Sequence, residues 1–452
     1  MKKIILCVLL VISIILFSFS FQKYCSIHKF NIDAVKKNIT FLSSNSFKGR
    51  LGGSFENEVA ANYIRQQFKA SNLAAYSQNY YQTFNAYYPK KVSGAPYLKV
   101  VDSHGNTIKT YVYKKDFKED MLNFKKDHIV FYNGSNIKAN SSYIQIKDKS
   151  ENFLIYSPKD NNLNFRSSFI ADSDYSLCIM ATKNCLSELR NYLNKGCIID
   201  CFIPYSNDTT TLKNVIGYIK GSDSSRPPII ISAHFDHVGT DLSGEVYNGA
   251  LDNASGTSFI LEMSKFISSL GTPNRDIIFI AFNGEEFGLK GSEAFVNKYY
   301  SKIKGGEDYN FDMIGSSSSV PLSIMGGKKD TVKSKPISSI SALCAKEHVS
   351  FNYIFDDASD HSSFRNKNIN AITFCDDDTS RIHTPSDKSS YINSSSIDRC
   401  FKIVSKDIIN NSFNFSFLIL YNKQVCILSL FSVIVLTLIS LQYAVRNMNS
   451  KN

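Results

Sequence analysis

IIISAHFDHVGTDLSGEVYNGALDNASG, residues 229–256, decides how the chain is read. An apolar run (Ile229, Ile230, Ile231) stops at His234, Asp236 and His237. A glycine-containing loop then leads to Asp252 and Asn253, and an amphipathic segment follows from Thr257 to Leu270. An apolar β-type run that ends in polar side chains and leads into a helix is how α/β folds place chemistry at strand C-termini. Imidazole and carboxylate side chains together are ligands of the zinc type. The rest of the chain is read for what completes this half-site.

Downstream, the strand-like DIIFIAF (276–282) runs into NGEEFGLKGSEAF, with Glu285 and Glu286 adjacent just past the strand end. Neighbouring carboxylates repel unless cations or protons separate their roles, and one ligating a metal while the other handles a proton is a natural division. An EE pair is also common as plain solvated surface charge. FDMIG sets Asp312 among apolar residues, where an unpaired carboxylate is costly. SDHSSF supplies Asp360 and His361, and RIHTPSD supplies His383 and Asp387. Each motif is short, and their joint presence in this order carries the signal.

Upstream, Ile32, Val35, Ile39 and Leu42 have helical spacing, and a second amphipathic helix carries Val59, Ala60, Tyr63, Ile64 and Phe68. Arg50, between them, reads as a loop anchor rather than a site residue. From 91 to 211 the texture changes to short β-like runs (YLKVV, TYVYK, HIVFY, SYIQI, FLIYS, CIIDCFI), and His104 and His128 stand alone there. NVIGYIK, PPIIISA, DIIFIAF and AITF then alternate with helical patterns, among them Ser341–Glu347. The expected fold is α/β, with a largely parallel central sheet flanked by helices. The expected domains are 30–90 together with 212–412 as the α/β unit, and 91–211 as an inserted β-rich domain.

The 452 residues carry a net charge of +11, with 43% hydrophobic and 20% charged residues, a globular composition. The basic residues are scattered and form no Arg-rich stripe, so no nucleic-acid partner is expected. Ten cysteines without a CxxC exclude a zinc ribbon, and the close pairs Cys178/Cys185 and Cys197/Cys201 are spaced as bridges for an oxidising compartment. Residues 1–24 form a signal anchor or signal peptide, with Lys2 and Lys3 before an apolar core longer than a cleaved signal usually has. Residues 425–445 are apolar, uncharged and long enough to span a bilayer, and the polar tail RNMNSKN excludes a lipid-anchor signal. The expected protein is membrane-anchored, with its middle outside the cytoplasm.

Taken together, SAHFDHVG, YNGALDNASG, FNGEEFGLKGS, FDMIG, SDHSSF and IHTPSD resemble the motifs of the co-catalytic dizinc exopeptidases. That family includes bacterial leucyl-type aminopeptidases, aminopeptidase Y and glutamate carboxypeptidase II. The resemblance covers 31–90 and 212–400, and several members carry a protease-associated-type β-rich insert where this chain has 91–211. It implies two Zn2+ ions, one held by His234 and Asp312 and the other by Glu286 and His383, with Asp252 bridging them. It implies that Asp236 bonds the His234 ring and that Glu285 is the general base. It also implies a cis peptide at Asp252–Asn253, with His237, Asp360 and His361 in support.

The implied activity is hydrolysis of N-terminal residues from peptides through a zinc-bound hydroxide, an aminopeptidase reaction. The alternatives are a glutaminyl-cyclase-like acyltransferase and a non-catalytic binding ectodomain. Some family members present a tyrosine to the scissile carbonyl. Tyr353 is the nearest here, and the oxyanion stabiliser is left unassigned.

Overall fold

A computed structural model describes residues 2–133 and 136–449, so the last residues of the polar tail, 450–452, lie outside it. Among the described residues, the central sheet has nine strands. Four adjacent strands at its centre, Ile277–Phe282, Ile229–His234, Glu307–Phe311 and Asn370–Asp376, are parallel. Strand Tyr205–Ile219 pairs antiparallel with Ile277–Phe282 on one side, and Leu322–Gly326 pairs antiparallel with Asn370–Asp376 on the other. The fold is thus the α/β class read from the sequence, with a parallel centre and antiparallel borders.

The unbroken apolar runs follow from burial on both faces. Ile277, Phe279 and Ala281 pack with helices Ile32–Leu42, Phe55–Ala70 and Gly256–Ser269 on one face. Ile278, Ile280 and Phe282 point the other way, against Phe295, Val296 and Phe364. The first two helices begin where side chains cap them. Asn31 accepts the N–H of Ala34 and Ser54 that of Asn57, each satisfying a donor that the first turn leaves free. Val35, Ile39 and Leu42 are buried, as their spacing requires.

Strands Tyr81–Lys91 and Tyr205–Ile219 pair antiparallel along their length, from Tyr81↔Val215 to Lys91↔Tyr205. The chain leaves the central sheet on the first and returns on the second, so position 211/212 lies inside a continuous strand. Between them lie a five-stranded sheet, Phe117–Phe124, Leu177–Ala181, Glu151–Tyr156, Tyr143–Asp148 and Asn136–Ala139, and a four-stranded one, Thr107–Tyr111, Tyr97–Val101, Ile198–Phe202 and His128–Phe131.

All ten cysteines are free, contrary to the bridges their spacing suggested. Cys197 and Cys201 are four positions apart along the run that forms strand Ile198–Phe202, roughly 13 Å at the usual strand rise, too far for a disulfide.

Ile4–Ser26 and Asn422–Arg446 are long and apolar enough to cross a membrane and are almost wholly exposed. They pack on each other, with the Ser20 and Ser429 hydroxyls 3.5 Å apart. The first helix joins the sheet domain where Lys23 donates to the Leu270 carbonyl, and the chain leading to the second passes beside it, Asn274 N–H donating to the Ser412 carbonyl. These positions precede strand Ile277–Phe282, so the apolar helix pair lies at the end of that strand opposite Glu285 and Glu286.

Arg50 is the anchor its sequence context suggested. It is fully buried and donates to the carbonyls of Leu42, Phe235, Asn248 and Gly249. Burial outweighs the nearby carboxylates and lowers its pKa to about 10. Replacing it, as Arg50→Met, would leave four buried carbonyls without their donor. The expected loss is on the order of 3 kcal/mol, read as a lower urea midpoint; an unchanged midpoint would show that other groups satisfy these carbonyls.

Candidate metal centre

Each site side chain stands at the C-terminal edge of the parallel strands or in the loop beyond. His234 closes strand Ile229–His234, Glu285 and Glu286 follow Ile277–Phe282, and Asp312 follows Glu307–Phe311. Asp252 arrives on a tight turn. Gly249 adopts φ 58°, and a Cβ there would sit 2.5 Å from the His237 ring. The Asp252–Asn253 peptide is cis. Asp387 accepts the N–H groups of Leu251 and Asp252 at 2.8 and 3.0 Å.

The two oxygens of Asp252 face different histidines: Oδ1 lies 3.4 Å from His234 Nε2, and Oδ2 lies 3.1 Å from His383 Nε2. His234 Nε2 is 3.3 Å from Asp312 Oδ1, and His383 Nε2 is 3.1 Å from Glu286 Oε1. Two donor groups result, His234 with Glu285 and Asp312, and His237, Asp252, Glu286 and His383. All seven are thus brought together, and five are the predicted ligand positions.

His237 was read as a supporting residue. Its Nδ1 stands 3.1 Å from Glu286 Oε1, as close as His383 Nε2 does, and 3.7 Å from Asp252 Oδ2. The HFDH run was the only sign of it. Asp236 departs from its expected role, since its carboxylate is 3.8 Å from His234 Nδ1, beyond a hydrogen bond. It accepts instead the N–H groups of Glu285 and Glu286 at 3.2 and 3.1 Å, while the ring nitrogen faces the Asp236 main-chain oxygen at 3.3 Å. Two convergent N–H donors at the start of a turn compete well for one carboxylate.

The donor set fits a divalent cation. Burial alone would strip protons from His234 and His383, yet the surrounding carboxylates prevail and push both pKa values well above ordinary. Burial works against the charge of Glu286, but His383 and His237 outweigh it and hold the carboxyl well below its usual range. Glu285 goes the other way, raised well above normal by burial and by the Glu286, Asp312 and Asp360 charges. The two adjacent carboxyls therefore carry opposite shifts. Buried carboxylates and imidazoles converging at these distances are zinc-type ligands.

Asp360 stays outside both donor groups; burial raises its pKa to about 7. His361 is held between the Asp356 carbonyl and the Thr373 hydroxyl. His361 thereby ties its own turn to strand Asn370–Asp376. Ser359 donates to Asp312 Oδ2 at 2.8 Å, and Ser168 to Glu286 Oε2 at 2.6 Å. Ser359 adjoins the SDHSSF motif, but nothing in the sequence singled out Ser168.

A cavity of about 410 Å³ opens over Asp252, Glu285, Asp312 and His383, with Met313, Met325, Ile354 and Ile382 among its apolar walls. Tyr353 is not among the lining residues. Its neighbour Ile354 is, because side chains alternate along strand Phe351–Phe355, and the Tyr353 ring stacks on Phe355.

Asp387→Ala would leave the Leu251 and Asp252 N–H groups buried and unpaired beside the site. The expected cost is about 1–3 kcal/mol, seen as a lower melting temperature. Asp387→Asn, which keeps one acceptor oxygen, should recover part of it.

Residues 214–407 match the profile of Peptidase family M28. Aminopeptidase YwaD of Bacillus subtilis (strain 168) is 30% identical over 217 residues, 44% of this chain and 44% of that protein. The vacuolar membrane protease of Clavispora lusitaniae is 38% identical over 91 residues, 20% of this chain and 8% of that one. The match thus spans less than half the length of these relatives. Among solved structures, an aminopeptidase from Aneurinibacillus sp. strain AM-1 superposes with a TM-score of 0.61 at 22% identity, covering 85% of this chain and 94% of that one. A zinc aminopeptidase from Bacillus subtilis gives 0.58 at 18% identity, covering 85% and 96%.

Proposed function

We propose that the chain is a member of Peptidase family M28, whose profile residues 214–407 match, and that it is a membrane-anchored zinc aminopeptidase with two metal ions. One observation carries the preference for amino termini. The cavity wall includes Asp377 beside the metal-site carboxylates, with Asp356 and Asp376 paired to Lys328 and Arg399, and no lysine or arginine is among its lining residues. Such a wall suits a substrate α-ammonium group and repels a C-terminal carboxylate.

His234 and Asp312 would hold one zinc and Glu286 and His383 the other, with Asp252 between them. His237 stands at ligand distance from the second group. Zinc bound there acts as a Lewis acid and lowers the pKa of water. Glu285 takes a proton at its carboxylate from the attacking water and returns it to the leaving amine. Its upward pKa shift suits a group that must both accept and give a proton near neutrality. Asp236, bound to the N–H groups of Glu285 and Glu286, orients the pair. Met313, Met325, Ile354 and Ile382 exclude water from an apolar side chain.

Residues 30–90 and 212–412 form the peptidase domain in this reading, and 91–211 the inserted domain. The basic, apolar N-terminal segment supports placing the catalytic domain outside the cytoplasm. An impermeant protease added to intact cells should then remove it; full protection would reverse the orientation.

The activity test uses the full chain in detergent with free and N-blocked aminoacyl and peptide substrates. Only free amino termini should be cleaved, with two zinc ions per chain, loss on chelation and recovery with zinc. Glu285→Ala should lower turnover by about 10²–10⁴-fold. Cleavage indifferent to Glu285 would sink the mechanism, and cyclisation of N-terminal glutamine would identify an acyltransferase. A chain with neither metal nor turnover would be a binding ectodomain.

A further inference from the structure

The metal site is not closed by the family-matched segment alone. A loop from the region between the ribbon strands, residues 165–169, reaches it. Phe169 N–H donates to the Glu286 carbonyl at 2.7 Å, and Arg166 N–H donates to the His383 carbonyl at 3.1 Å. The Arg166 carbonyl lies 2.9 Å from His383 Nδ1, and Ser168 Oγ donates to Glu286 Oε2 at 2.6 Å. The Phe165 ring stacks over His383 with centroids 5.8 Å apart.

The loop is locked in turn by the Arg166 side chain. It is fully buried, pairs with Glu119 at 2.8 Å and donates to the Val238 carbonyl, next to His237, at 2.9 Å. Every one of these loop residues precedes residue 214, where the family match begins.

We infer that Ser168 is a positioning residue for the second metal, holding Glu286 so that only Oε1 is offered beside His383. With Oε2 committed to the hydroxyl, the carboxylate cannot swing to offer both oxygens. With His383 Nδ1 committed to the Arg166 carbonyl, that ring presents Nε2 to the centre. Partners of this kind orient ligands, and losing one usually weakens metal binding by about 10–100-fold. The inserted domain therefore completes the site and does not merely flank it. This inference rests on the zinc reading given above.

The test compares full-length wild type, Ser168→Ala and Ser168→Thr for zinc content during titration with a chelator, alongside melting temperature and peptide turnover. Wild type should hold two zinc ions. Ser168→Ala should keep one and release the other at roughly 10–100-fold lower chelator strength, with little change in melting temperature measured in excess zinc. Ser168→Thr, which keeps the hydroxyl, should restore the second affinity; a purely structural role would not show this separation. Two equally tight zinc ions in Ser168→Ala would overturn this inference alone. A wild type that binds no zinc would overturn the metal-centre reading and this inference with it.

Discussion

The buried carboxylate of Asp252 is the constraint around which the rest of the structure is arranged. Its oxygens face His234 and His383, which come from distant parts of the chain, and it is almost inaccessible to water. A buried charge persists only where partners compensate its lost hydration. The imidazoles supply part of that compensation, and Asp387 holds the backbone on which Asp252 sits. Arg50, below, clamps the carbonyls of Asn248 and Gly249 that lead into the turn. Asn253 continues the clamp by donating to the Phe311 carbonyl, one residue before Asp312.

The sheet makes this arrangement possible. Parallel strands buried on both faces end together at one edge, so His234, the Glu285–Glu286 pair and Asp312 converge although separated by tens of residues. Their side chains can be polar because they lie beyond the last apolar residue of each strand. The opposite edge has a different task, since the terminal apolar helices join the domain there. The apolar helix pair and the two donor groups occupy opposite ends of the same strands.

The excursion between Lys91 and Tyr205 changes how the molecule divides. The paired strands Tyr81–Lys91 and Tyr205–Ile219 form a stiff ribbon rather than a loose linker. The buried Arg166–Glu119 pair sits against the loop after His237. Lys118 is likewise buried and is bonded to the Tyr247 hydroxyl. Separating these sheets from the site would strand those charges without partners.

The sequence by itself determined the α/β class, the two apolar ends, both early helices and the donor side chains other than His237. These features are local: apolar runs of strand length, helical spacing, and ligand-type residues placed just after strands. The anchoring role of Arg50 was legible for the same reason, from its place between two helices. Only the tertiary structure decided the contacts that depend on chain segments far apart. It brought His237 to Glu286, gave the Asp236 carboxylate to two N–H groups instead of the His234 ring, and turned Tyr353 off the cavity. It also left the close cysteine pairs unbridged and delivered Ser168 to Glu286 across more than a hundred residues. A serine in a β-rich stretch has no period or spacing that announces a partner. Its role comes from which loop the packed sheets hold against the site.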